Sequence, residues 1–150
     1  MLPPIPTDPT NTDESQVAAL VYRYPDLIDA GDFEGIGELF AHAVLRSGDS
    51  AIRGGDELVA MLKRLVRTYE GGRTSTKHVV TNLVVEVAPD RRTATAKSYV
   101  TVLQARPPEF PLQTIASNRH FDRFERAEGG WRFVERVDVQ DLAGDMSRHI

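Results

Sequence analysis

Several polar side chains that can move protons lie on predicted strands, at positions where a plain core would carry apolar residues. His78 and Asn82 share one face of a strand predicted over 77–87, and the other face carries valine and leucine. The next three strands carry Tyr99, His120 and Arg136. Two interpretations stay open. In one, the polar residues form a row that faces solvent or is hydrogen-bonded within the protein. In the other, they line a concave pocket with apolar walls and act on a ligand there.

Tyr24 and Asp29 form a second candidate cluster, five residues apart on a predicted helix. Tyr24 lies on the apolar stripe of that helix, so its hydroxyl needs either an ordinary buried partner or a ligand in a pocket. Asp32, just beyond, is explained by helix capping. Capping does not explain Asp29, which stays a candidate for acid–base chemistry.

The elements that must hold these residues begin with helices. Apolar residues at helical spacing predict a first helix over about 11–30, with a kink or a break at Pro25. A short second helix is predicted after Asp32, which caps it. A third helix is predicted from a cap at Asp56 to an end at Gly71–Gly72.

The second half of the chain changes to a period of two, which is typical of strands. A short strand is predicted at 43–47, and the four long strands are predicted at 77–87, 93–104, 114–126 and 131–139. Helices grouped before antiparallel strands favour an α+β fold, in which about three helices pack on the concave face of a curved sheet. Near the end of the sequence, Leu142, Met146 and Ile150 predict a short amphipathic turn that covers the sheet, a cavity or a partner.

The composition is that of one globular domain. The chain has 150 residues, of which 41% are hydrophobic and 27% charged. Residues 11–150 are predicted to form this single domain. Residues 1–10 contain four prolines, which predicts a flexible arm.

Charge and residue usage exclude several function classes. A net charge of −4 argues against a nucleic acid partner and against a membrane-surface role. No apolar run has the roughly 20 residues of a transmembrane helix and the start lacks the pattern of a signal peptide, so a cytoplasmic protein is predicted. The absence of cysteine excludes disulfides and thiolate sites, and the four scattered histidines predict no metal site.

Five segments, taken in order and spacing, resemble the SnoaL-like branch of the nuclear transport factor 2-like superfamily, whose members include ketosteroid isomerase, scytalone dehydratase and bile-acid dehydratase. The resemblance extends over about residues 14–150. It implies a cone-shaped α+β fold with an internal cavity, a hydrophobic small-molecule ligand, no cofactor and a homodimer. The segments are VYRYPDLIDAGDFEGIGELFA, IRGGDELVAML, KHVVTNLVVEV, RHFDRFERAEGGWRFVERV and GDMSRH.

The resemblance also implies roles for individual residues. Tyr24 matches a helix tyrosine that donates a hydrogen bond to substrate in the isomerase and the bile-acid dehydratase. Asp29 matches an acid that dehydratase-like relatives pair with the histidine matched here by His78. Arg136 matches a last-strand arginine near the cavity. The isomerase's proton-shuttling carboxylate falls near Ser47–Gly48, where this sequence has no acid, which argues against a steroid-isomerase mechanism.

Two functions are compatible with these residues. In the first, the protein is a cofactor-free lyase or isomerase, in which His78, oriented by Asp29, takes a proton next to a carbonyl and Tyr24 stabilises the enolate or protonates the leaving hydroxyl. In the second, the protein is a non-catalytic dimeric domain that binds a small molecule or a partner, and the same residues form a structural polar network. The first function includes four residues that bind substrate: Arg136, Tyr99, His120 and Asn82.

Overall fold

The computed structural model of the protein describes residues 12–150. The predicted arm at 1–10 and the predicted helix start at Asn11 lie outside these residues. The helices are α1 (Asp13–Ala30), α2 (Phe33–Leu39) and α3 (Gly54–Leu65), followed by a 3₁₀ turn at Glu70–Gly72. The strands are β1 (Val44–Ser47), β2 (Ser50–Arg53), β3 (Thr76–Val87), β4 (Thr93–Arg106), β5 (Phe110–Ala127) and β6 (Gly130–Ala143).

The six strands form one curved, open sheet in the order β2-β1-β6-β5-β4-β3. β1 runs parallel to β6, and every other neighbouring pair is antiparallel. α1 packs against β3, β4 and β6, and α2 packs against α1 and α3. The predicted α+β fold is therefore confirmed.

α1 positions the first candidate cluster. Thr12 caps this helix by accepting a hydrogen bond from the backbone N of Ser15 at 3.1 Å. The helix ends at Gly31, whose φ of 74° is the left-handed conformation that glycine adopts without strain. α1 runs through Pro25 without being divided, so a break into two helices is the wrong prediction.

The segment between α2 and β3 differs from the structure that the sequence predicts for it. The turn after β1 leads into a second strand, β2, which the sequence pattern does not reveal. α3 begins at Gly54, ahead of the predicted cap at Asp56, and the carboxylate of Glu57 accepts a hydrogen bond from the backbone N of Arg53 at 3.1 Å. α3 also ends earlier than predicted, because Gly71–Gly72 belong to the separate 3₁₀ turn.

A register shift in β3 decides which of its side chains face the helices. Pairing with β4 shifts between Thr81 and Val84, and Asn82 within the shift has a φ of 53°. Because strand side chains alternate with a period of two, an extra residue moves the following side chains to the opposite face. His78 faces inward before the shift, whereas the side chains that pack on the core after it are Leu83, Val85 and Val87. The predicted alternation along the whole strand is therefore wrong beyond Thr81.

A second shift has the same effect on β6. Its pairing with β5 skips Val134. Trp131 and Phe133 face the core before this position, and Arg136 is buried after it, with Asp138 on the same side. A strict period of two along β6 would place Val134 on the face of Arg136 and Asp138, and the shift removes Val134 from that face.

Two apolar clusters fill the space between the helices and the sheet. The larger contains α1, α2 and α3 side chains together with Phe40, Phe124 and Phe133, whose rings stack at centroid distances of 4.5 Å. The smaller comprises residues of β4 and β5, among them Val100 and Ile115. Side chains of both clusters border one cavity, which is the candidate site.

Candidate active site

The cavity has a volume of about 240 Å³ and lies between the helices and the inner face of the sheet. Most of its walls are apolar. The wall contributed by α2, α3 and the β1–β2 hairpin contains Ile36, Leu45, Ile52, Leu58, Met61 and Leu62. The opposite wall contains most of the polar groups, which are Tyr24, His78, Asn118, His120, Arg136 and Asp138. Apolar walls with a few converging polar groups are typical of a small-molecule site.

His78 and Asp29 form a hydrogen-bonded pair at this cavity. The imidazole Nδ1 of His78 lies 2.6 Å from Oδ1 of Asp29, and the backbone N of His78 donates to Oδ2 of the same carboxylate at 2.9 Å. Thr76 donates from its hydroxyl to Oδ1 at 2.8 Å. Three contacts therefore fix one carboxylate. A carboxylate on Nδ1 leaves Nε2 of His78 as the acceptor nitrogen of the neutral ring, next to the cavity.

The same contacts set the charge of Asp29. Burial alone would raise the pKa of its carboxyl, but the hydrogen bonds and the charge of His78, with help from Thr76, hold that pKa below its ordinary value. Asp29 is consequently ionised at neutral pH. An ionised carboxylate accepts the hydrogen bond from Nδ1–H of His78 and so fixes the tautomer and the orientation of the ring.

Tyr24 lies between two of the histidines. Its ring is 5.9 Å from the His78 ring and 6.3 Å from the His120 ring, in edge-on contact with both. Burial raises the pKa of the Tyr24 hydroxyl to about 12, although the charge of Arg136 opposes the shift. The hydroxyl therefore stays protonated at neutral pH and is a hydrogen-bond donor to the cavity.

Arg136 is buried with a carboxylate that the sequence analysis does not pair with it. Its Nε and Nη2 donate to the two oxygens of Asp122 at 2.7 and 2.9 Å, and the side chains are 4% and 0% exposed. The guanidinium carbon also lies 5.1 Å from the ring centroids of Tyr24 and Phe40. The charge of Arg136 is neutralised locally, and its remaining Nη1 has no hydrogen-bond partner among residues 12–150.

His120 forms the second carboxylate-bound imidazole of the cavity. Its Nε2 lies 3.1 Å from Oδ1 of Asp138, which also accepts a hydrogen bond from Asn118 at 2.9 Å. Burial, followed by the charge of Arg136, lowers the pKa of His120, so the ring is neutral near pH 7. With Nε2 directed at Asp138, Nδ1 is the free nitrogen, and it is buried without a partner among the described residues.

Four buried polar atoms at the cavity lack hydrogen bonds within residues 12–150. They are Nδ1 of His120, Oδ1 of Asn118, Nη1 of Arg136 and Nδ1 of His149. Buried polar groups are nearly always hydrogen-bonded, so several orphan atoms around one cavity indicate a place where a polar ligand or water binds.

Two of the predicted substrate-binding residues do not reach the cavity. Tyr99 is 39% exposed, because on β4 the buried side chains are those of Ser98 and Val100 on either side of it. Asn82 is exposed within the register shift of β3. Neither residue lines the cavity, so the proposed site does not include them. The structure does bring together Tyr24, Asp29, His78, His120 and Arg136.

Sequence analysis missed three residues of the site. The alternation of β5 and β6 does not show that Asn118 and Asp138 meet across the two strands. His149 lies after the last strand, where there is no period to interpret, yet it is buried at the cavity and its ring is 5.8 Å from that of His78.

We expect the free energy of unfolding to fall by about 2.5 kcal/mol between pH 7.5 and pH 4.5 on account of His149. Burial, with a smaller contribution from the charge of His78, lowers the pKa of His149 from 6.5 to about 4, while nearby Asp29 opposes the shift. The unfolded chain therefore binds the proton more readily over this interval, and acid favours unfolding. Urea unfolding of the wild type and of His149→Phe at both pH values measures this effect. Equal pH dependence in the two proteins would contradict it.

Within residues 12–150, no helix is long and apolar enough to cross a membrane. In the same part of the chain, no three histidine, aspartate or glutamate side chains converge closely enough to hold a metal ion.

Comparison with known proteins gives one family and one fold. The sequence profile of the SnoaL-like domain family matches residues 9–137. An NTF2-like protein with a cystatin-like fold from Novosphingobium aromaticivorans superposes with a TM-score of 0.71 at 22% identity, covering 91% of this chain and 86% of that chain. A protein of unknown function from Mycobacterium tuberculosis gives a TM-score of 0.69 at 26% identity, covering 85% and 75% of the two chains.

A scytalone dehydratase-like protein from Novosphingobium aromaticivorans gives a TM-score of 0.68 at 18% identity, and the match covers 86% of this chain and 84% of that one. A search of curated proteins finds no match. At these sequence identities, the similarity to solved structures establishes the fold, whereas the reaction depends on the groups at the cavity.

Proposed function

The chain belongs to the SnoaL-like domain family, and from that membership and the cavity we propose that the protein is a cofactor-free dehydratase acting on a small hydroxylated ring ketone. One observation carries the proposal. The His78–Asp29 pair places a free imidazole nitrogen at a mostly apolar cavity, beside the protonated hydroxyl of Tyr24. This combination of base, orienting carboxylate and neutral donor suits proton abstraction next to a carbonyl.

In the proposed first step, Nε2 of His78 takes a proton from the carbon next to the ketone. Asp29 accepts from Nδ1–H and is ionised, so it stabilises the imidazolium that forms. The electrons of the broken C–H bond move into the carbonyl, which becomes an enolate. The position of His78 on a paired strand and its second bond to Asp29, through the backbone N, hold the ring in place.

The enolate oxygen needs hydrogen-bond donors, and two border the cavity. Tyr24 keeps its proton because burial raises its pKa to about 12, and Nη1 of Arg136 is unpartnered among residues 12–150. A donor fixed in a water-poor cavity stabilises developing negative charge more strongly than water does. The ring of Tyr24 lies 5.9 Å from that of His78, so we assign Tyr24 this role and assign Arg136 to substrate binding.

In the second step, the enolate re-forms its carbonyl, the adjacent C–O bond breaks and hydroxide leaves. The imidazolium of His78 returns the proton to that oxygen, so one histidine serves as base and then as acid and the products are an enone and water. His120 is neutral and directs Nε2 at Asp138, so its free Nδ1 accepts a hydrogen bond and cannot supply the proton. We therefore assign His120 to binding a substrate hydroxyl.

The cavity also constrains the size and charge of the substrate. Sites for drug-sized ligands have volumes of about 300–1,000 Å³, so a cavity of about 240 Å³ suits a compound of one or two rings. Asp29 and Asp138 are both held ionised by pKa values below the ordinary range, and Arg136 is neutralised by Asp122. This balance disfavours an anionic ligand and favours a neutral one.

The test uses 3-hydroxy-1-tetralone, a neutral two-ring β-hydroxy ketone. Loss of water from it gives an enone that becomes 1-naphthol by moving a proton, so fluorescence of 1-naphthol reports the reaction. We expect the purified protein, without added metal or cofactor, to raise the rate above that of buffer. No rate enhancement, together with tight binding of the compound, would instead favour the non-catalytic ligand-binding alternative.

The homodimer and the cytoplasmic location stay predictions of the resemblance and of the composition. The outer face of the sheet exposes large apolar side chains, including Val84, Tyr99 and Phe121, and we propose that a second copy packs there. Light scattering should report a dimer. A monomer over a wide range of concentrations would contradict this proposal.

A further inference from the structure

We propose that the segment 144–150 completes the site, and that His149 is a ligand-binding residue that selects ring compounds carrying a second oxygen group. The inference rests on the proposed function only in its choice of a neutral ring compound as ligand. The position of His149 beside His78 is what carries it.

The segment is fastened to the rest of the fold by its backbone. The carbonyl of His149 accepts a hydrogen bond from the backbone N of Arg67 at 2.8 Å. The carbonyl of Arg148 accepts from Gln104 Nε2 at 3.0 Å and from the hydroxyl of Tyr69. Gln104 is itself 1% exposed. These contacts come from the chain after α3 and from β4, so His149 is held at the cavity by two separate parts of the fold.

The side chain of His149 is buried but not satisfied. The residue is 7% exposed and lines the cavity. Its Nδ1 is buried and has no hydrogen-bond partner among residues 12–150. Buried nitrogens are nearly always hydrogen-bonded, so an unpartnered one on a residue that lines a cavity points to a ligand or water that binds there. Met146, from the same segment, adds apolar surface to the cavity.

His149 is also uncharged, which suits it for a neutral ligand. Burial, then the charge of His78, lowers its pKa to about 4. The groups that face it are His78, at a ring distance of 5.8 Å, and the carboxylate of Asp29 behind His78. A neutral imidazole offers one N–H and one acceptor nitrogen, so it can bind either a hydroxyl or a carbonyl oxygen.

The location of His149 gives the chemistry of the ligand. One set of free polar groups at the cavity comes from α1, β5 and β6, and its members are Tyr24, His120 and Arg136. His149 supplies a further polar group from the segment after β6. A ligand that hydrogen-bonds to His149 and to the first set at once needs two oxygen groups on a rigid apolar body. The second oxygen would anchor the ring beside His78, so His149 determines which ring compounds are held in the reactive position.

The experiment compares the binding of 1-naphthol with that of the 1,5-, 1,6- and 1,7-naphthalenediols by calorimetry at pH 7.5. We expect at least one diol to bind the wild type about 3- to 10-fold more tightly than 1-naphthol, as one net hydrogen bond implies. His149→Phe should lose the preference, so that it binds the diol no more tightly than it binds 1-naphthol. His149→Asn, which restores a polar group, should recover part of it. The matched control is His42→Asn, since His42 is exposed, and it should keep the whole preference.

A measurement on the wild type makes the test independent of how the variants fold. The ring nitrogens of His149, observed by ¹⁵N NMR, should shift when the preferred diol is added and shift less with 1-naphthol. Equal diol preference in the wild type and His149→Phe, an unmoved His149 signal, or no binding of any naphthol would overturn the inference. If the proposed dehydration is wrong and the inference about His149 is right, no 1-naphthol forms from 3-hydroxy-1-tetralone, while the wild type still prefers the diol.

Discussion

His78→Ala is expected to lower the rate of water loss from 3-hydroxy-1-tetralone by about 10²- to 10⁴-fold, the contribution typical of a general acid–base group. The variant removes the nitrogen that takes and returns the proton. It leaves Asp29 exposed to the cavity, where water can satisfy it in place of Nδ1 of His78. The measurement is the initial rate of 1-naphthol formation, with circular dichroism to confirm the fold.

Two matched variants separate chemistry from structure. His42→Ala removes an exposed histidine and should keep the wild-type rate. Tyr24→Phe keeps the ring contacts with His78 and His120 and removes only the hydroxyl, so it should fold normally and react more slowly. Undiminished turnover in both His78→Ala and Tyr24→Phe would contradict the mechanism. A loss of stability without a loss of rate would favour the non-catalytic alternative.

Arg136→Met is expected to destabilise the fold by about 3–5 kcal/mol, the usual effect of removing one partner from a buried ion pair. The pair is bidentate, at 2.7 and 2.9 Å, and its side chains are almost completely excluded from solvent. Methionine fills a similar volume, so the destabilisation arises chiefly from the carboxylate of Asp122, which stays buried without its cation. Urea unfolding at pH 7.5 measures the difference.

The chain provides a control with the same geometry at the surface. Arg119 binds both oxygens of Asp141 at 2.9 Å, with side chains 38% and 37% exposed. Arg119→Met should change the free energy of unfolding by about 0–1 kcal/mol, because water solvates the carboxylate that is left. Adding Asp122→Leu to Arg136→Met should restore much of the lost stability. Similar effects of Arg136→Met and Arg119→Met would show that burial of the pair is not the cause.

The His78→Ala and Arg136→Met experiments each remove the partner of a carboxylate near the cavity. Each of three carboxylates near the cavity has a partner: His78 for Asp29, Arg136 for Asp122 and His120 for Asp138. Removing His78 changes function first, whereas removing Arg136 changes stability first, because the carboxylate of Asp122 is completely excluded from solvent. Activity lost in Arg136→Met therefore has to be compared at equal folded fraction before a binding role is assigned.

Much of the fold follows from local patterns. The switch from a period near four to a period of two separates the helices from the long strands, and the capping side chain of Asp32 accepts from the backbone N of Gly35 at 2.8 Å, as predicted. These patterns do not predict β2, the short strand that pairs with β1. They also do not predict the residues at which α3 begins and ends. A four-residue strand has too few positions to show alternation, and its pairing with β1 is a tertiary contact.

Part of the site was also predictable. The sequence by itself made Tyr24, Asp29, His78, His120 and Arg136 candidates, because polar residues on apolar stripes are informative and the resemblance gave the same positions. The structure brings these five residues together. It misplaced Tyr99 because the alternation of β4 does not tell which of its faces turns toward the helices, and it misplaced Asn82 because a register shift of β3 falls on that residue. One extra residue near Asn82 reverses the face of every side chain that follows it, and composition contains no signal for such a shift.

Only the tertiary structure determined which groups meet. The pairs Asp29–His78, Asp122–Arg136 and Asp138–His120 join different elements or distant positions of the chain, and their distances depend on how α1 packs on β3 and how β5 pairs with β6. His149 is the clearest case. Its segment has no periodic pattern, so its place beside His78 results from the long-range contacts that fasten residues 148 and 149. Local sequence sets which residues are available for chemistry, and packing between distant elements sets their separations, burial and charge states.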